Sequence, residues 1–172
     1  MTLRFLLPLS LLFPIAAFAG DMTPPVKTVM DITADNWSED GGEGRDIFAD
    51  DLLNSIYSKA FVAEYRAAAK YPVFDDSTTP FDYDVILNAQ DGCALEDLSI
   101  SQGQTSDGVT DVVARFNNTK CFGDAPENLR VEEVHFDVID EDGHAVIDDI
   151  HPPSDGNLQG SVRADMQLIA AQ

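Results

Sequence analysis

The chain has 172 residues, 44% of them apolar, with 10 Lys and Arg against 31 Asp and Glu for a net charge of −21. That length and apolar content suit one globular domain with its own core. A surface this acidic repels nucleic acid and anionic lipid, and it attracts cations or a basic partner.

The N-terminus reads as an export signal. Arg4 supplies a positive start, Phe5 to Phe18 an apolar run, and Ala17-Phe18-Ala19 the small-x-small pattern of a cleavage site. The expectation is a signal peptide over residues 1–19 and a single mature domain over 20–172, periplasmic or secreted, with a net charge of about −22 once Arg4 is gone. Pro8, Pro14 and the short apolar run argue against a membrane span.

Pro24 and Pro25 open a first helix over 26–37, where a missing N–H is tolerated. A glycine-rich loop follows over 38–45. From Asp46 to Tyr71 one apolar stripe, including Phe48, Leu52, Ile56, Phe61 and Tyr65, predicts a long second helix, broken if anywhere near Asp50. Tyr57 and Tyr65 fall on that stripe and read as core aromatics with a polar tip. Residues 73–92 predict an irregular stretch. Four strand-like runs follow, at 94–102, 109–117, 129–140 and 144–150, then a short helix over 161–170. Asp142-Gly143 predicts a two-residue hairpin turn, which explains the DEDG segment better than a calcium loop does. Helices first and consecutive strands after imply an α+β fold: N-terminal helices packed on a curved antiparallel sheet of about four strands.

Two cysteines in an exported chain predict a disulfide. Cys93 precedes the first strand and Cys121 follows the second, so a hairpin turning near Ser106 brings them together at its base.

The chemical candidates are few. There is no G-x-S-x-G, no H-E-x-x-H and no P-loop, which argues against an enzyme, and no cofactor is implied. With a tight Asp142-Gly143 turn, Asp137 faces Asp148, and His135 lies two residues along on the same face. Two opposed carboxylates share a proton or bind a cation, so His135, Asp137 and Asp148 are the first candidates for a pocket wall or cation site. The same register puts His151 opposite Val134, on the face away from His135, and therefore excludes a metal site shared by the two histidines. Gln90, Asp91 and Asp149 are structural or rim candidates. The sequons at Asn36 and Asn117 are treated as accidental.

Three segments carry a family resemblance: FVAEYRAAAKYP (61–72), FDYDVILNAQD (81–91) and AVIDDI (145–150). They resemble the exported bacterial proteins grouped as domain of unknown function 3828. Ala145 and Val146 stand where that family usually has Trp. The resemblance implies a cone-shaped fold similar to nuclear transport factor 2. It implies no activity, because folds of that type host isomerases, dehydratases, immunity proteins and binding modules alike.

The function expected is therefore an exported, non-enzymatic binding or inhibitory module of immunity type for a basic exported partner. The alternative is a small-molecule-binding protein or a lyase- or isomerase-type enzyme with a conical pocket.

Overall fold

A computed structural model describes residues 20–41, 44–75, 77–154 and 160–172; the expected signal peptide at 1–19 lies outside the described residues. The architecture is α+β. Helices α1 (Pro24–Asn36), α2 (Asp50–Leu53) and α3 (Lys59–Ala68) precede strands β1 (Glu96–Ser106), β2 (Val109–Asn117), β3 (Glu132–Glu141) and β4 (His144–His151), and α4 (Val162–Ala170) ends the chain. The strands form one open antiparallel sheet in sequence order. No described helix is long and apolar enough to cross a membrane.

Strand alternation decides what the sheet covers. Val112, Ala114, Phe116, Val134, Phe136, Val138, Ile147 and Ile150 are buried and pack with Val26, Met30, Phe61 and Met166 of the helices. Each such Val, Ile, Phe or Met side chain contributes roughly 1.5–3 kcal/mol by leaving water. The opposite, outer face carries Asp111, Arg115, Glu133, His135 and Asp137.

Both hairpins close on Asp-Gly. Asp107 and Gly108 have φ of 53° and 85°, and Asp142 and Gly143 have 56° and 83°, the paired left-handed conformations of a type I′ turn. The disulfide joins Cys93 and Cys121 with their Cα atoms 5.9 Å apart. The Cys93 N–H donates to the Asn118 carbonyl at 2.7 Å, which extends the hairpin pairing to its base.

The long second helix is not continuous. Residues 46–49 are not helical, so helix begins only at Asp50, and the apolar stripe is then shared by α2 and α3, which are separated a second time at residues 54–58. There the backbone joins the sheet instead: Ile147 N–H donates to Ile56 C=O, and Ser58 N–H donates to Ile147 C=O, both at 2.8 Å. The Ser58 hydroxyl then accepts from Phe61 N–H and caps α3. Pairing with the Ile147 backbone thus interrupts the helix, and the serine cap starts it again.

The β3–β4 register also differs from expectation. Glu141 does face His144, and pairing holds to Val138 opposite Ile147. A β-bulge then inserts one residue, so Asp137 faces Asp149 rather than Asp148, and His135 faces His151 rather than Ile150. An extra residue moves every later side chain on its strand to the other face. The two histidines therefore share the outer face.

The irregular segment over 73–92 contributes core through buried Phe81, Val85, Ile86 and Leu87. Asp84 organises it, accepting from Ile86 and Leu87 N–H and, through its other oxygen, from the Trp37 indole N–H at 2.8 Å. Asn117 is buried, donating to the Asn128 and Arg130 carbonyls and accepting from Thr119 and Lys120 N–H. Asn36 likewise pairs with the Arg45 backbone in both directions. Both sequon asparagines are thus engaged in tertiary structure.

Candidate functional site

The outer face of β2, β3 and β4 gathers most of the ionisable candidates. His135 is largely buried between strands, its Nδ1 2.9 Å from Asp111 Oδ1 and its Nε2 3.4 Å from Glu133. Glu133 also accepts from Arg115 Nε at 2.7 Å, and that guanidinium holds its carboxyl below the usual carboxylate range. Arg115 reaches across to the Ser101 hydroxyl at 3.1 Å, which ties β1 to the same row.

One pairing further along, Asp137 meets His151, with Asp137 Oδ2 3.2 Å from His151 Nε2. The other imidazole nitrogen, Nδ1, lies 2.6 Å from the Gly160 carbonyl. A carbonyl oxygen can only accept, so Nδ1 carries a proton. The hydrogen bond to Asp137 raises the imidazole to about 9, against the opposing effect of burial. Asp149 is directed by the start of α4: one carboxylate oxygen accepts from Arg163 and Ile150 N–H, the other from the Ser161 hydroxyl.

Asp148 belongs to a different structure. The bulge turns it away from Asp137 and toward α3 and α4, where it accepts from the Ser58 hydroxyl and from Arg163 Nη1, each at 2.6 Å. Arg163 also holds Glu64 through Nε at 2.8 Å and Nη2 at 2.9 Å. This bidentate pair keeps the Glu64 carboxyl low and raises the Arg163 guanidinium still further. The group is a clasp joining β4, α3 and α4.

The expected trio is therefore divided. His135 and Asp137 share the outer face, and Asp148 leaves it. Asp149 and His151 take its place, and His151 was missed because the bulge has no reliable signature in sequence. Gln90 is exposed, donating to the Asp82 carbonyl at 3.1 Å, and it rims an open groove with Trp37, Phe74 and Tyr83. Asp91 is exposed and accepts from Gly92 N–H, a local turn contact.

Tyr57 and Tyr65 belong to the core. With Phe48, Phe61 and Phe81 they form an aromatic cluster whose contacting rings lie 4.7–6.1 Å apart. The Tyr57 hydroxyl donates to the Ile47 carbonyl at 3.1 Å. Burial pushes the Tyr57 phenol well above its ordinary value and moves Tyr65 up to about 12, so neither is poised as an acid at neutral pH.

A groove of about 510 Å³ lies between α2, α3 and the β3–β4 turn, bordered by Tyr57, Lys59, Arg66 and His144. A second, of about 230 Å³, is bordered by Arg45, Phe48 and Tyr83. Neither includes His135, Asp137 or Asp149. Comparison of the chain with protein-family models, with curated proteins and with solved structures returns no match.

Proposed function

We propose that the chain is an exported binding or inhibitory module, of immunity type, whose outer sheet face receives a basic exported protein. The observation that supports it is the row of Asp111, Glu133, Asp137 and Asp149 on the sheet face opposite the buried core, flanked at Asp149 by the start of α4, with Arg115 the one Lys or Arg of that row. Such a row creates a focused negative field that steers a basic surface toward it. The disulfide suits an oxidising compartment, in keeping with an export signal at 1–19. Membership of the family grouped as domain of unknown function 3828, with its cone-shaped fold, is part of the proposal and rests on the resemblance of residues 61–72, 81–91 and 145–150 alone.

The small-molecule or lyase-type reading draws less support. It needs ionisable groups aimed between sheet and helices. That side is occupied by Met30, Phe61, Phe116, Phe136, Ile150 and Met166, all fully buried, and His135 and Asp137 point the other way.

The test is capture from a periplasmic extract at low salt, followed by association kinetics with the captured protein. The expected result is a saturable basic partner whose on-rate falls as ionic strength rises. Reversing charge on the face (Asp111→Lys with Glu133→Lys) should slow association at least tenfold, whereas Asp31→Lys with Asp35→Lys on α1 should not. Equal effects from both pairs, or no partner above a scrambled acidic control, would refute the reading.

A further inference from the structure

We infer that Asp137, Asp149 and His151 form a site for a divalent transition metal of zinc type. One ligand atom from each residue lies within 4.8 Å of the other two. His151 Nε2 is 3.2 Å from Asp137 Oδ2 and 4.0 Å from Asp149 Oδ2. Tetrahedral zinc with bonds of about 2.0–2.2 Å needs its donors roughly 3.3–3.6 Å apart. Small side-chain rotations close that difference.

Groups outside the trio prepare two of the three ligands. Gly160 C=O holds the Nδ1 proton of His151 at 2.6 Å, which directs Nε2 toward the two carboxylates. A carbonyl oxygen accepting from the far imidazole nitrogen is the usual setting of a metal-bound histidine. Asp149 is fixed by the Ser161 hydroxyl on Oδ2 and by Ile150 and Arg163 N–H on Oδ1, and Oδ2 keeps a lone pair beyond the one Ser161 occupies. Asp137 has no hydrogen-bond partner among the described residues except His151.

Charge points the same way. The bulge sets Asp137 directly opposite Asp149, and like charges so placed repel unless a cation, the His151 imidazolium or a metal ion in place of its Nε2 proton, lies between them. Arg163 does not serve, because its guanidinium nitrogens bond Glu64 and Asp148. All three ligands are partly buried, with side-chain exposures of 38%, 13% and 28%. Bulk water competes less there, and the site stays open to an entering ion. One imidazole nitrogen with two carboxylate oxygens suits Zn²⁺ over the all-oxygen shells of Ca²⁺ and Mg²⁺. Three protein ligands leave a fourth position for water or a donor from elsewhere.

The site stands independently of the docking reading, since it needs no partner. The experiment is isothermal titration of Zn²⁺ into the tag-free, chelator-stripped mature chain with its disulfide intact, and Co²⁺ substitution followed by visible absorption. One equivalent of Zn²⁺ should bind, Co²⁺ should give the intense absorption of a four-coordinate site, and a hundredfold excess of Ca²⁺ should not displace either. Asp137→Asn should weaken zinc at least tenfold, while Glu133→Gln on the same face and His144→Ala in the turn should leave it within twofold; circular dichroism establishes that each variant folds. Absence of a saturable equivalent overturns the site and leaves His151 itself as the cation between the carboxylates. Equal weakening by Glu133→Gln and Asp137→Asn also overturns it, since that marks diffuse attraction to an acidic face.

Discussion

Replacing Arg163 with Met keeps the aliphatic stem and removes the guanidinium that joins α4 to α3 and β4. The stem still packs, so the loss reports on the ion cluster. Arg163, Glu64 and Asp148 are 23%, 22% and 22% exposed, between the surface pairs that contribute 0–1 kcal/mol and the buried ones whose breakage costs about 3–5 kcal/mol. With a bidentate bond to Glu64 and a further bond to Asp148, the expected loss is about 2–3 kcal/mol, or roughly 5–10 °C in Tm for a domain of this size. Urea unfolding at pH 7 with the disulfide intact measures it. Adding Glu64→Gln to Arg163→Met removes one orphaned carboxylate and should recover about 1 kcal/mol. The pH dependence follows from Glu64, whose folded pKa is depressed by Arg163. Its contribution is present above the unfolded carboxylate value and is lost as pH falls through the folded one. The gap between wild type and Arg163→Met should therefore narrow on going from pH 7 toward pH 3. A loss below about 0.5 kcal/mol at pH 7, or a gap that stays constant with acid, would refute the clasp.

Replacing both cysteines with alanine opens a loop of sequence separation 28 and should cost roughly 3–4 kcal/mol on the chain-entropy account; the unreduced, unfolded wild type should titrate with no free thiol. Gly143→Ala places a Cβ where φ is 83° and should cost about 1–2 kcal/mol in urea unfolding, although nothing lies within 4 Å of the new atom. A loss near zero would mean that the turn relaxes.

The parts of the fold legible in the sequence are those set by local chemistry. Alternation in VEEVHFDVID puts Val134, Phe136 and Val138 on the buried face, and all three are there. Asp-Gly fixes the β3–β4 turn because its backbone conformation suits few other pairs. The cysteine pairing followed from an even cysteine count in a chain read as exported, with hairpin geometry giving its place. The helix break at 54–58 was hidden because the apolar stripe continues across it, and what stops the helix is a long-range partner, the Ile147 backbone. The bulge was hidden for a similar reason. Asp148 and Asp149 are the same residue type, and which one faces Asp137 depends on a clasp built from Ser58 and Arg163, 90 and 15 residues away in sequence. The candidate site was therefore legible to within one residue on β4, and that residue decides whether His151 belongs to it.

The placement of the basic residues gives the acidic excess its meaning. Lys59 bridges α3 to Glu141 and Asp142 in the β3–β4 hairpin, Lys120 binds Glu96 and Asp97 beside the disulfide, and Arg163 forms the clasp. Lys27, Arg45 and Arg130 hold Asp31, Asp51 and Glu132 nearby in sequence. These cations are thus committed to ion pairs elsewhere, and among the described residues the row of Asp111, Glu133, Asp137 and Asp149 has Arg115 as its one Lys or Arg. Whatever neutralises that face further must come from the imidazoles or from outside. The docking and metal proposals then draw on the same charge. Zinc bound between Asp137 and Asp149 would replace the Nε2 proton of His151 with a divalent ion and leave the row less negative, and a basic partner would meet a weaker field. Partner association should therefore be slower, and its dependence on salt shallower, with zinc present than with chelator, because steering scales with the charge left on the face.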